Sequence, residues 1–182
     1  MKKLCMILPL VILFCFTLGC QNKEALAELE EMKAQTEVEE QNKELVKRIF
    51  EGLNERNADI FKELYAPDYA WYFPSNNPKP LSREEEHGFV KILWDAFPDI
   101  NWSIEELIAK DDRIIARFIA RGTHTGEFQG IPATENKIES SGSWIARIEN
   151  GKVVEVREDA DLLGMMQQLG MELKPKGGKK QS

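Results

Sequence analysis

The sequence predicts an α+β fold in which helices come first and an antiparallel sheet follows. Apolar residues recur every three to four positions in the first half of the domain and alternate with polar residues in the second half. The first spacing is typical of amphipathic helices and the second of half-buried strands. The dipeptide Asn150-Gly151 between two apolar runs favours a tight hairpin, because both residues accept a positive φ angle. Helices packed on one sheet face then make a single domain.

The N-terminus has the layout of an export signal. Two lysines precede an apolar run that ends at Leu18, and Gly19-Cys20 follows it. This is the order of a basic region, an apolar region and a small residue at a cleavage point. The stretch from Phe16 to Cys20 resembles the lipobox of bacterial lipoproteins, whose cysteine becomes the lipidated first residue. An uncleaved anchor is the alternative, but the run is short for the ~20 residues of a membrane span.

This interpretation predicts where the protein lies. We expect residues 1–19 to be a signal peptide and Cys20 to be the lipidation site of a membrane-anchored lipoprotein. The protein would be lipid-anchored in the bacterial cell envelope, on the periplasmic side of a membrane if the cell is Gram-negative. The cysteines stand at positions 5, 15 and 20, so the mature domain has no disulfide, cysteine nucleophile or cysteine metal site.

Two charged segments flank the expected domain of residues 42–171. Residues 20–41 are predicted to form an acidic helical tether, with isolated apolar residues at Leu26, Leu29 and Met32. A coiled-coil stem is the alternative, although the apolar repeat does not persist over three heptads. Residues 172–182 are predicted to be a basic flexible tail. The net charge of -7, without a basic stripe in the domain, argues against a nucleic-acid partner.

The first half of the domain is predicted to contain helices. Leu45, Ile49 and Leu53 share one face of the first helix at four-residue spacing. Asp59 is placed to cap a short second helix, which Pro67 would end. The apolar residues of that second helix are Ile60, Phe61, Leu64 and Tyr65.

A third helix precedes the predicted strands. Ser82 and Glu85 fit a capping box at its start, and Pro98 follows its apolar stripe of Phe89, Val90, Leu93, Trp94 and Phe97. The charged run from Glu84 to His87 is interpreted as its solvated first turn. The period changes to two from Trp102 onwards. Six residues share one face of the second strand: Ile114, Ala116, Phe118, Ala120, Gly122 and His124.

Six motifs then occur in order between Ala96 and Gly170. They read AFPDI at 96–100, IAKDDRI at 108–114, GTHTGEF at 122–128, GIPAT at 130–134, RIENGKVVE at 147–155, and DLLG at 161–164 with QLG at 168–170. Together they resemble the SnoaL-like polyketide (ester) cyclase family of the nuclear-transport-factor-2-like superfamily, over roughly residues 42–170. The resemblance implies a cone-shaped, curved antiparallel sheet wrapped around about three helices, with a hydrophobic pocket inside.

The resemblance also implies an aspartate that acts as general acid/base in an aldol ring closure, with neither metal nor cofactor. The matching residue is Asp161, and Asp159 is the alternative base two residues earlier. A carboxylate at an apolar cone mouth would have a raised pKa, which suits it to take a proton α to a carbonyl. The competing interpretation of Asp161 is an N-cap of the last helix.

Other residues are candidates for the pocket. His124 lies on the apolar strand face, either as a catalytic residue or as a hydrogen-bonded core histidine. Relatives often carry histidine where this chain has Tyr72, which alters the pocket and leaves Tyr72 to donate a hydrogen bond. Trp94 and Phe118 are expected to bind the ligand. Arg147 is a candidate to stabilise an enolate oxygen, or else an exposed or dimer-face arginine.

Two functions stay open at this point. The first is ester cyclase-type, cofactor-free acid/base chemistry, either aldol cyclisation or isomerisation, on a small apolar carbonyl compound. The second is a non-catalytic envelope lipoprotein that binds a small hydrophobic ligand in the cone. Export favours binding, whereas the aspartate and histidine favour chemistry. The strand face that carries Ile115, Arg117 and Ile119 also predicts a homodimer.

Overall fold

The structure, a computed structural model, describes residues 7–172 and Lys174, with side chains from residue 23 onward. Two compact units make up the chain, Met1–Glu40 and Gln41–Ser182. Within the described range, no helix combines the length and the apolar character that crossing a membrane requires. The side chain of Cys20 and most of the predicted basic tail lie outside the described residues. The signal peptide, the lipidation and the domain bounds therefore stay predictions.

Four helices are present in the described part of the chain: α1 (Ile7–Asn54), α2 (Asp59–Glu63), α3 (Arg83–Ala96) and α4 (Leu162–Gln168). The apolar face predicted near the end of α1 is buried at Leu45 and Ile49. The capping box of α3 is confirmed, since Ser82 Oγ accepts a hydrogen bond from Glu85 N and the Glu85 carboxylate accepts one from Ser82 N. These reciprocal bonds satisfy two amide groups that the first helical turn leaves without partners.

The predicted ends of α2 are wrong. Asp59 is the first helical residue rather than the cap, and its N–H donates to Asn57 Oδ1 at 3.0 Å. The helix ends at Glu63, before Pro67, because the following residues join a strand instead. Leu64 O accepts a hydrogen bond from Val153 N at 2.9 Å, which begins a sheet pairing that competes with further helix.

One five-stranded sheet contains β1 (Tyr65–Tyr72), β2 (Asn101–Lys110), β3 (Arg113–Thr123), β4 (Lys137–Glu149) and β5 (Lys152–Ala160) in the order β1-β5-β4-β3-β2. All neighbours pair antiparallel except β1 and β5, which are parallel. The sequence pattern did not predict β1. It tolerates Pro67 because this is an edge strand whose register is irregular between Tyr65 and Ala70.

The predicted hairpin and strand face are both confirmed. Asn150 and Gly151 have φ angles of 52° and 70° between β4 and β5, as the type I′ turn requires. On β3 the side chains of Ile114, Ala116, Phe118 and Ala120 are buried, while their neighbours are more exposed. The buried sheet face, the end of α1 and the other helices enclose one hydrophobic core. The α+β cone predicted from the sequence is therefore the observed fold.

Candidate active site

Two adjoining cavities lie inside the cone between the inner sheet face and the helices. Their volumes are about 50 Å³ and about 40 Å³. The first is bordered by residues of α1 and α3 and by strands of the sheet, including the edge strand β1. The second extends towards α4. Five residues line both cavities: Phe89, Leu93, Trp102, Phe118 and Glu158. The interior is therefore largely aromatic, with one carboxyl group where the two cavities adjoin.

That carboxyl group belongs to Glu158 on β5. Its register partner on β4 is Trp144, which is buried in the core, so Glu158 points from the inner sheet face. The indole Nε1 of Trp71 on β1 donates a hydrogen bond to Glu158 Oε2 at 3.0 Å. Burial raises the pKa of Glu158 to about 7, the Trp71 hydrogen bond opposes the rise, and the charge of Asp159 adds to it. Glu158 is partly buried as a residue, and because it lines both cavities its carboxyl group faces the interior.

A second carboxyl group, that of Glu86, lies in the first cavity. Glu86 is in the first turn of α3 and is only 5% exposed. Burial raises its pKa to about 8, and the charge of Glu158 adds to this, while the nearby hydroxyls of Tyr69 and Tyr65 lower it. Even so, neither Glu86 Oε2 nor Tyr69 Oη has a hydrogen-bond partner of good geometry among the described residues. Because Glu86 lines the first cavity, its Oε2 is available to a polar group of a ligand there, whereas Tyr69 lines neither cavity.

The two glutamates form a coupled pair of titratable groups. Two carboxyl groups that share an apolar site cannot both ionise easily, so their protons leave in separate steps. Burial thus raises both pKa values towards neutral pH, that of Glu86 to about 8 and that of Glu158 to about 7. Burial also raises the pKa of Tyr65 and of Tyr69 well above the usual value. Both hydroxyl groups therefore stay protonated near neutral pH.

Aromatic rings form the wall beside Glu158. The rings of Trp71 and Phe73 are parallel, with centroids 5.1 Å apart and an interplanar angle of 7°. Phe89 packs against both, at 5.7 Å from Trp71 and 5.6 Å from Phe73. Such a wall favours flat, uncharged ligands and keeps the effective dielectric low. It also explains why burial dominates the pKa of the neighbouring carboxyl groups.

Asp161 and Asp159, the residues predicted to be acid/base candidates, lie outside these cavities. Asp161 is exposed, and its Oδ1 accepts a hydrogen bond from Gly164 N at 2.7 Å as the N-cap of α4. Asp159 pairs with Ser143 on the outer sheet face, and its Oδ1 accepts from Ser75 N at 3.0 Å. Both border a shallow outer groove of about 220 Å³. Their predicted catalytic role stays a prediction.

His124 is fully buried just beyond the end of β3. Its Nδ1 is 3.0 Å from Thr134 Oγ1, and its ring centroid is 5.1 Å from that of Phe97. Nε2 has no partner among the described residues. The residue lines neither interior cavity, so the structure does not bring it together with the two glutamates. A catalytic role for His124 also stays a prediction.

Of the four residues predicted to bind ligand, Phe118 alone lines the interior cavities. Tyr72 lies on the outer side of β1, where the guanidinium carbon of Arg157 is 4.0 Å from its ring centroid. Trp94 is buried and its Nε1 donates to Leu53 O at 3.0 Å. Arg147 is on the outer sheet face beside Arg113 and forms an ion pair with Glu149.

Glu86 and Glu158 are not among the site residues that the sequence predicts. The solvated first turn predicted for Glu86 is wrong, because Glu86 precedes the buried residues Val90 and Trp94 by four and eight positions, which places it on the buried helix face. Glu158 stands two residues after Val156 on the inward face of β5. Periodicity therefore places both side chains on inward faces, whereas their charge favours exposure to solvent. No group of three or more potential metal ligands is found in the described part of the chain.

Comparison with known proteins identifies similar sequences and folds. Residues 43–169 match the model of a family described as SnoaL-like polyketide cyclase. No curated protein matches the chain significantly. Among solved structures, the chain is 27% identical to IdmH of Streptomyces antibioticus, titled "a putative polyketide cyclase", with a TM-score of 0.63 over 70% of this chain and 97% of that one.

Two further solved structures share the fold. One, titled "Putative SnoaL-like polyketide cyclase", is from Jannaschia sp. CCS1, with 24% identity and a TM-score of 0.66 over 74% of this chain and 95% of that one. The other is AclR of Streptomyces galilaeus, titled "a putative hydroxylase", with 24% identity and a TM-score of 0.68 over 76% of this chain and 91% of that one. The similarity extends over most of each of these proteins.

Proposed function

Because the chain belongs to the SnoaL-like polyketide cyclase family, we propose that it catalyses cofactor-free proton transfer on a small apolar carbonyl compound. The reaction is an aldol cyclisation or an isomerisation, with Glu158 as the general base and Glu86 as the general acid. One observation carries the proposal: two carboxyl groups with pKa values raised to about 7 and about 8 line the same apolar cavity. This arrangement supplies a base and an acid together at neutral pH.

The proposed reaction begins when ionised Glu158 removes a proton from the carbon next to the carbonyl. The electron pair of the C–H bond forms the enolate, and the negative charge develops on the carbonyl oxygen. Protonated Glu86, which lines the same cavity, donates a hydrogen bond to that oxygen, and such a bond is strong in an apolar site. In an isomerisation, Glu158 returns the proton to another carbon. In an aldol closure, the enolate carbon attacks a second carbonyl, and the alkoxide oxygen that forms takes up the proton held by Glu158, which regenerates the base.

Proton exchange on a simple ketone tests the proposal. The probe is 2-tetralone, whose C1 hydrogens are acidic, in deuterated buffer with nuclear magnetic resonance detection. Glu158→Gln should slow exchange by about 10²–10⁴-fold, which is the usual contribution of a general base. Asp161→Asn should leave the rate within about twofold, because Asn keeps the cap. If Asp161→Asn abolished exchange and Glu158→Gln retained it, Asp161 would be the general base. That result would overturn the assignment of Glu158 to this role.

A non-catalytic binding function is the second candidate, and the largely apolar lining of both cavities favours it. Under this alternative, 2-tetralone or a similar ketone quenches the fluorescence of Trp71, Trp102 and Trp144 in the cavity walls. The rate of proton exchange, however, equals the rate in buffer alone for the wild type and for every variant. The fluorescence titration and the exchange assay use the same samples. Their combination separates binding alone from binding with proton transfer.

We also propose that the domain is held at the bacterial envelope by lipid on Cys20. The support is the sequence alone, namely the apolar run that ends at Leu18 and the lipobox-like residues up to Cys20. Replacement of the thiol in Cys20→Ser should prevent lipidation and leave the protein unprocessed or released from the membrane. Unchanged membrane partition and unchanged metabolic lipid labelling would contradict this localisation.

A further inference from the structure

Phe118 is the one aromatic residue, among the five that line both interior cavities, that rises from a strand with neighbours on both sides. Phe118 is only 5% exposed and lies on β3, between β2 and β4 in the sheet. It lines both cavities, as does Glu158. The ring centroid of Phe50, on the opposite wall, is 5.7 Å away. Phe118 therefore forms part of a partition that has the base Glu158 beside it.

The ring of Phe118 rests on a glycine. Its register partner on β4 is Gly142, and a Cβ added there would lie 2.3 Å from Phe118 Cζ and 2.8 and 2.9 Å from its two Cε atoms. No real side chain tolerates such distances, so the present ring position requires glycine at 142. Glycine inside a strand often marks such a close approach. A larger residue at position 142 would therefore require the Phe118 ring to move away from β4.

The size of the cavities makes this partition important for ligand choice. A cavity of about 150 Å³ accommodates benzene, and drug-sized ligands need roughly 300–1,000 Å³. Cavities of about 50 and 40 Å³ each hold less than one ring. A ring-containing ligand must therefore occupy both, which requires Phe118 to move. Because Glu158 also lines both, such a ligand would have Glu158 near its middle rather than at one end.

We propose that Phe118, positioned by Gly142, is the residue that determines ligand size, and that the two cavities are halves of one site for a ring-containing, uncharged carbonyl compound that is too large for either half alone. The acidic carbon of this compound has apolar groups on both sides, and it meets Glu158 where the halves join. Only this placement of the acidic carbon rests on the proposed function. The size limit set by Phe118 and Gly142 is a property of binding and does not depend on turnover.

The test is a double-mutant cycle on the affinity for 2-tetralone, measured by quenching of tryptophan fluorescence in the full chain. Phe118→Ala should bind at least about tenfold more tightly than the wild type, because the partition is gone. Gly142→Ala should bind at least about tenfold more weakly, since the displaced ring fills the cavities. In the Phe118→Ala background, Gly142→Ala should change affinity by less than about twofold, because its effect acts through the ring. Phe128→Ala truncates another fully buried phenylalanine that lines neither cavity, and should leave affinity unchanged.

The outcomes separate the two proposals. An equal weakening by Gly142→Ala in both backgrounds would overturn the size limit, and so would an equal gain of affinity in Phe118→Ala and Phe128→Ala. If Phe118→Ala fails to fold, Phe118→Leu replaces it in the cycle. Phe118→Leu should increase the affinity for 2-tetralone by a smaller factor, and in its background Gly142→Ala should again no longer weaken binding. The expected affinities together with no exchange of 2-tetralone in any variant would overturn the proposed catalysis alone.

Discussion

Glu158 accepts a hydrogen bond from the Trp71 indole at 3.0 Å, across the only parallel strand pair in the described sheet. The bond favours the charged form of the carboxyl group, so it opposes the rise in the pKa of Glu158 that burial causes. The edge strand β1 thus contributes to the acidity of a residue on β5. Strand β1, which the sequence pattern did not predict, therefore influences the chemistry of the site through this contact.

Trp71→Phe should raise the pKa of Glu158, because it removes the hydrogen bond to the carboxylate while retaining an aromatic ring. The pH at which 2-tetralone exchange begins to rise should then move upward from the wild-type value near 7. Trp94→Phe is the matched control, since Trp94 donates to the backbone of Leu53 and lines neither cavity. An equal shift in both variants, or none in Trp71→Phe, would contradict this role of the indole.

Glu86→Gln should stabilise the protein at high pH. The pKa of Glu86 is about 8 in the folded chain, against an ordinary value of 4.5. Between these values the folded state binds more protons than the unfolded state, so wild-type stability falls as pH rises through that window. Glutamine cannot ionise and escapes this loss. The free energy of unfolding of the variant, relative to wild type, should therefore increase between pH 5 and pH 9 by on the order of a few kcal/mol.

Urea unfolding at pH 5 and pH 9 measures this difference. Glu84→Gln is the control, because it removes the same charge from an exposed position in the same helical turn. The control should show no comparable gain at pH 9. A Glu86→Gln variant whose relative stability is the same at both pH values would show that Glu86 does not carry a raised pKa.

Those parts of the fold that depend on interactions between residues close together in the chain could be predicted from the sequence. The Ser82 capping box and the Asn150-Gly151 hairpin each depend on residues within four positions of one another. The inward face of β3 follows from simple alternation. In contrast, β1 forms through a parallel pairing between residues nearly ninety positions apart, such as Tyr65 with Val153. Pro67 in that segment also indicated a break rather than a strand.

The site was predictable only in part, for a related reason. Strand alternation predicts the apolar face that carries Phe118, the family resemblance implies a pocket on that face, and Phe118 lines both cavities. Glu86 and Glu158 carry charges that normally indicate solvent, and only the tertiary structure shows that they face one apolar cavity. The sequence allowed Asp161 to be either a general acid/base or the N-cap of the last helix. The hydrogen bond that it accepts from Gly164 N corresponds to the N-cap. Motif matching identified the family but not which carboxyl group is buried.

The predicted homodimer is testable on the outer sheet face. Ile108, Ile115 and Ile145 are register neighbours on adjacent strands, and they are 49%, 45% and 37% exposed. A row of exposed isoleucines favours burial against a second copy. Ile115→Glu should therefore convert a dimer into a monomer in sedimentation equilibrium. Ile92→Glu, at a similarly exposed isoleucine on α3 (47%), should stay dimeric, and a wild-type monomer at high micromolar concentration would refute the dimer.

The pH dependence of 2-tetralone exchange tests the central claim most directly. Exchange should rise as Glu158 loses its proton, with an apparent pKa near 7, and fall as Glu86 loses its proton, near 8. The result is a narrow bell, whose two limbs belong to the coupled pair. Glu158→Gln should abolish the profile, and Glu86→Gln should remove its alkaline limb. A rate that is unchanged by Glu158→Gln, or that rises with pH without a maximum in the wild type, would contradict the account.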